Sequence, residues 1–174
     1  ANTIEEVFTT VNTGGNTTYN WTNDQPGIGL AASGTGNIPS FTAVNNGTMP
    51  LVANLTVTPV FDERSVYCTG QSKTFTITVN PSGQVNDPDN QVVCNGGQSF
   101  YVDFTTNNTG GTTTYTWTNS TTSIGLDAAG AGNIPAFTAI NNGMLPVVAT
   151  ITVTPLFTNE MVSCTGPEQM FTIT

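Results

Sequence analysis

Hydrophobic and polar positions alternate with a period of two along much of the chain. In one clear stretch, Phe100, Val102 and Phe104 alternate with Tyr101, Asp103 and Thr105. After the turn-forming run Asn108-Thr109-Gly110-Gly111, Tyr115 and Trp117 share one face while Thr114, Thr116 and Thr118 take the other. Phe137 and Ala139 alternate next, then Ala149, Ile151 and Val153 with Thr150, Thr152 and Thr154 between them, and Phe171 and Ile173 close the series. This is strand spacing: successive side chains point to opposite faces of a sheet, and β-branched Thr suits the wet face. No helix-length stretch carries apolar residues at helical spacing. The pattern predicts an all-β chain of short strands, with a core Trp on the third, as in an immunoglobulin-like sandwich. The small, glycine-rich run between Ile124 and Pro135 reads as an irregular crossover at a sheet edge.

The same pattern is written twice. Residues 1–78 align with 97–174 without a gap, and about 44 of the 78 pairs are identical. Shared landmarks include Phe8/Phe104, Tyr19/Tyr115, Trp21/Trp117, Gly36-Asn37-Ile38-Pro39/Gly132-Asn133-Ile134-Pro135 and Cys68-Thr69-Gly70/Cys164-Thr165-Gly166. Two domains follow, 1–80 and 92–174, joined by a linker at 81–91 that holds two prolines and a glycine among polar residues. So short a linker predicts an end-to-end arrangement. The first copy reads as truncated at its N-terminal side and the second at its C-terminal side, with Ala1 as the start of a cut fragment, so a longer array is expected.

Composition narrows the function. The chain has 2 Lys+Arg, 11 Asp+Glu and no His, for a formal net charge of −9. Without His there is no Ser-His-Asp or Cys-His nucleophile system and no His-ligated metal. Two cations cannot neutralise a nucleic-acid backbone, and an anionic lipid surface repels the chain. No apolar run is long enough to cross a bilayer as a helix. Charged residues make up only 7%, and Thr and Asn fill the gap. A monomeric, non-catalytic extracellular protein is expected.

The string Tyr-x-Trp-x-Asn, Ile-Gly-Leu, Gly-x-Gly-Asn-Ile-Pro-x-Phe-Thr-Ala, Thr-Val-Thr-Pro, Cys-Thr-Gly and Phe-Thr-Ile-Thr resembles the PKD-like repeats of Bacteroidetes surface proteins. These occur in giant adhesins exported by the type IX secretion system, including the SprB-type adhesins of gliding flavobacteria. The resemblance implies PKD-like β-sandwich modules at the bacterial cell surface, serving adhesion and gliding motility as stalk or spacer. Their partners would be neighbouring repeats and a polysaccharide or abiotic surface. The alternative, from another class, is a carbohydrate-binding module of a secreted glycan-degrading enzyme.

The resemblance also pairs an early Cys with the Cys of Cys-Thr-Gly, which here implies a Cys94–Cys164 disulfide and leaves Cys68 unpaired because its partner would fall ahead of Ala1. Taken without the family, Cys68–Cys94 across the linker is a competing pair. Tyr19 with Trp21, and Tyr115 with Trp117, are expected in the core; exposed, they would form a sugar-stacking platform. Asp87 and Asp89, with Asn86, Asn90, Asp62 and Glu63, are calcium candidates at the junction, but Pro88 breaks any calcium-loop spacing. Solvated acids are the plainer reading, and no cofactor is expected. The Asn-x-Thr/Ser strings reflect bulk composition.

Overall fold

A computed structural model describes residues 3–174. The chain divides into two units, Ala1–Asn80 and Pro81–Thr174. Unit 1 is built on an antiparallel sheet of β1 (Asn16–Asn23), β2 (Ser33–Thr35), β3 (Leu51–Glu63), β4 (Val66–Thr69) and β5 (Lys73–Val79). The long β3 pairs β1 along one edge; on the other, its first half pairs β5 and its last residues pair β4. β2 adds to the free side of β1. Unit 2 repeats the design with β6 (Thr112–Asn119), β7 (Ala129–Ala131), β8 (Ala149–Asn159), β9 (Val162–Thr165) and β10 (Gln169–Ile173). Even the register repeats: Trp21 sits opposite Val57, and Trp117 opposite Val153.

Alternation sets which face is buried. Ala149, Ile151, Val153 and Phe157 of β8 are buried, and the threonines between them face outward and are half-covered. Trp21, Leu55 and Val57 do the same in unit 1. The β3–β4 hairpin turns through Arg64 and Ser65, both at positive φ (51° and 68°), the conformation that matches strand twist in a two-residue turn. Among the described residues the helical elements are two three-residue 3₁₀ turns, Pro26–Ile28 and Thr122–Ile124. Among the described residues no helix is long and apolar enough to cross a membrane.

The layer facing each sheet is not a regular ladder. In unit 2 it consists of extended chain joined by single bridges, Gln98 to Thr138 and Val102 to Ile134; in unit 1 Glu6 meets Ile38. Asparagine side chains do the work that a ladder would otherwise do. The Phe8 N–H donates to Asn37 Oδ1 and the Phe104 N–H to Asn133 Oδ1. Asn23 Nδ2 donates to the Leu30 carbonyl while its Oδ1 accepts from the Gln25 N–H, and Asn119 repeats this with Leu126 and Thr121. Such closure of buried backbone groups by side chains is what lets irregular chain sit against a core. It also corrects one expectation. Val102 and Phe104 are buried as the alternation predicts, but Phe100 is 72% exposed. The Gln91 side chain takes both backbone groups of Phe100, accepting from its N–H and donating to its carbonyl, so the residue leaves the ladder.

The stretch 81–91, read from composition as a linker, is packed into unit 2. Pro81, Gly83, Val85 and Gln91 are buried, and Val85 belongs to the core with Phe104, Val153 and Phe171. Unit 2 therefore begins at Pro81 and not at Val92.

Candidate functional site

Each unit carries an aromatic triad beneath its irregular layer. In unit 1, Phe8 lies 5.4 Å from Tyr19 and 6.4 Å from Phe75, ring centre to ring centre. In unit 2, Phe104 lies 5.5 Å from Tyr115 and 6.4 Å from Phe171. The tilted and edge-to-face geometries are those favoured by ring quadrupoles. Burial raises the Tyr115 phenol above its ordinary pKa, the Thr106 hydrogen bond opposes that, and the Asp103 charge adds to it.

The two triads differ in what covers them. In unit 2 the segment 81–91 runs past, with Val85 in the core beside Phe104. In unit 1 the triad lines a groove of about 620 Å³, walled by Phe8, Tyr19, Val57, Pro59, Lys73 and Phe75. A second depression of about 380 Å³ shares Asn12 and Pro59 with it and reaches Phe61, Cys68 and Gly70. This double groove is the candidate site. It offers aromatic and proline surface and Lys73, one of the chain's two cations.

Trp21 and Trp117 are 5% and 6% exposed, and their indole N–H groups have no hydrogen-bond partner. No sugar can stack on a ring so enclosed. Tyr19 and Tyr115 are half-buried in the triads.

The Cys94–Cys164 disulfide implied by the family resemblance does not form. All three thiols are free, with Cys68 and Cys94 exposed and Cys164 half-buried. The reason is register. Cys164 sits opposite Phe157, near the end of β8. Cys94 follows Val93, whose N–H donates to the Thr174 carbonyl, next to the Ile173–Ala149 pair at the start of β8. The eight residues between these points span about 26 Å, against a Cα separation of about 4–7 Å for a disulfide.

The acids do not gather into a metal centre either. Among the described residues no group of three or more His, Cys, Asp or Glu could hold a metal ion. Asp87, Asp89 and Asp103 line a shallow depression of about 440 Å³. The side chains of Asn86 and Asn90 are engaged elsewhere, Asn86 with Thr105 and Asn90 with Thr172. Asp62 accepts the Ser65 N–H in the β3–β4 turn.

No protein-family model, curated protein or solved structure matches the chain. The groove residues and the buried asparagines are what the sequence reading passed over. Their signal lay in identity between copies at strand ends and in the loops: Asn23/Asn119 close β1 and β6, and Asn12/Asn108, Asn37/Asn133 and Gly70/Gly166 lie outside the strands.

Proposed function

We propose that the chain is a pair of non-catalytic, PKD-like repeat modules of a large bacterial cell-surface adhesin, acting as stalk or spacer in adhesion and gliding motility. One observation carries this reading. Corresponding positions build the same five-stranded sheet twice, strand for strand and register for register, each sheet closed over its own core. Units of that kind add length and bear load one after another, as in other repeat arrays. The charge-poor, Thr- and Asn-rich surface suits an extracellular, type IX-secreted filament whose partners are neighbouring repeats and a polysaccharide or abiotic surface. Single-molecule extension of the chain tests the stalk reading. Two separate unfolding events are expected, with contour lengths of about 280 Å and about 330 Å for units of 80 and 94 residues. Gradual extension at low force, without discrete events, would remove it.

A second reading, a carbohydrate-binding module of a secreted enzyme, draws on the open aromatic groove of unit 1. Pull-down on insoluble polysaccharides, with Phe8→Ala as control, separates the two.

A further inference from the structure

We propose that the double groove of unit 1 is a docking site for an extended polypeptide segment with the chemistry of Pro81–Gln91, the leading segment of another repeat of this sequence type. The inference goes beyond the stalk reading and holds whatever load the chain bears.

Unit 2 shows what such a groove takes. Asn108 Oδ1 accepts the Gln84 N–H at 2.7 Å, and its Nδ2 donates to the Ser82 carbonyl at 3.2 Å. The Gly83 N–H donates to the Cys164 carbonyl, and the Asn86 N–H to the Thr105 carbonyl. Further on, Asn90 Oδ1 accepts the Thr172 N–H, and Gln91 forms a parallel bridge with Ile173. Val85 enters the core, 8% exposed. Backbone bonds supply affinity and one apolar side chain supplies register, as in strand addition to a sheet edge.

Unit 1 keeps the receiving residues: Asn12, Cys68, Thr9 and Thr76 stand where Asn108, Cys164, Thr105 and Thr172 stand in unit 2. It also leaves their surroundings open. Phe157, Pro155, Phe171 and Ile173 are buried, whereas their counterparts Phe61, Pro59, Phe75 and Ile77 are only half-buried. The depression of about 620 Å³ reaches Thr9 and Phe75, where unit 2 seats Val85 and Asn86; that of about 380 Å³ reaches Cys68 and Gly70, where it seats Gly83. Gly70 is telling. A Cβ at Gly166 would collide with the Gly83 carbonyl, so the docked segment demands glycine there. At Gly70 a Cβ would press on Pro59, with Cγ at 3.0 Å and the carbonyl oxygen at 3.6 Å, a tight contact but no backbone collision, and the glycine is retained.

The test adds a synthetic peptide of residues 80–91 to the intact 174-residue chain and follows backbone amides by NMR. Saturable one-to-one binding is expected, with shifts at Thr9, Gly70 and Thr76 of unit 1 and none at Thr105, Gly166 or Thr172, whose groove is filled. A peptide carrying Val85→Asp leaves the protein untouched and should bind at least roughly tenfold more weakly, because its anchor can no longer be buried. Gly70→Val in the protein should abolish binding; Asn12→Ala should weaken it if the valine variant fails to fold. In a second arm, residues 81–96 are placed ahead of Ala1, and the melting temperature of unit 1 should rise. No binding at millimolar peptide together with unchanged melting of the extended chain overturns the proposal. So does a result in which oligosaccharides, and not the peptide, shift the groove residues. Neither outcome alters the unfolding pattern expected of a stalk, so the two readings fail separately.

Discussion

The indole of Trp117 lies directly over Gly130, its register partner on β7, so closely that a Cβ there would collide with the six-membered ring. Trp21 and Gly34 repeat the relationship in unit 1. The short edge strands β2 and β7 carry glycine at their centres because the ring fills the space a side chain would need. Gly130→Ala should therefore cost about 1–3 kcal/mol by overpacking, read as a lower denaturation midpoint of unit 2. Trp117→Ala should cost about 3–5 kcal/mol, since it empties the centre of the core. If Gly130→Ala melts like the parent, the ring is not where the structure places it.

Asn119 holds the crossover after β6. Its amide donates to the carbonyls of Leu126 and Asp127 and accepts the Thr121 N–H, with the side chain buried. Asn119→Ala strands those groups, and a loss of about 1–3 kcal/mol is expected. Asn119→Asp keeps the acceptor but loses the donors, and should be no better tolerated. Chemical denaturation of both variants checks this, with hydrogen exchange at Thr121 as a local reporter.

The thiols should behave as three independent groups. Under native, non-reducing conditions a thiol reagent should label Cys68 and Cys94 readily and Cys164 more slowly, following their exposure. Cys94→Ser should leave the melting of unit 2 unchanged. A Cys94–Cys164 crosslink in non-reduced peptide mapping would contradict the register of β8 and β9.

Acid should weaken the two units unequally. In unit 1 the Asp24 carboxylate accepts from the Asn54 side-chain amide and backbone N–H, each at 2.7 Å. Those bonds hold its pKa below the ordinary 3.8. A depressed folded-state pKa contributes stability that is present above the unfolded value and is lost as pH falls through the folded one. Ser120 takes the matching place in unit 2, accepting the Thr150 N–H, and it does not titrate in this range. Asp24→Asn should flatten the acid limb of unit 1 below about pH 4 and leave unit 2 unaffected. A titration monitored by NMR resolves the two.

What the alternation made legible was the sheet. Ile151, Val153, Phe171 and Ile173 are buried where a period of two puts them, and the threonines between them face outward. The opposite layer escaped because its backbone is held by Asn37, Asn133 and Gln91 side chains, and a chain closed that way need not alternate. The segment 81–91 escaped for a related reason. Its proline, glycine and asparagine content is that of a connector, and its one core residue, Val85, leaves no pattern. Its partners are backbone groups and an asparagine, which composition does not reveal. The disulfide that the resemblance implied failed because a shared motif says nothing about which end of a strand each cysteine reaches.

The bridge between Gln91 and Ile173 is parallel, unlike the pairings within the sheet. Gln91 donates to the Thr172 carbonyl and accepts the Thr174 N–H, and Val93 donates to the Thr174 carbonyl. The entering segment and the last strand thus run side by side in the same direction, so tension on the two ends of unit 2 slides them past each other. Those hydrogen bonds are loaded in shear and must yield together; an antiparallel pair pulled from one end would unzip bond by bond. Rupture under tension is set by the unfolding barrier and not by equilibrium stability. A fold of modest thermal stability can therefore act as a strong link, with its latch at the seam where the chain enters and leaves.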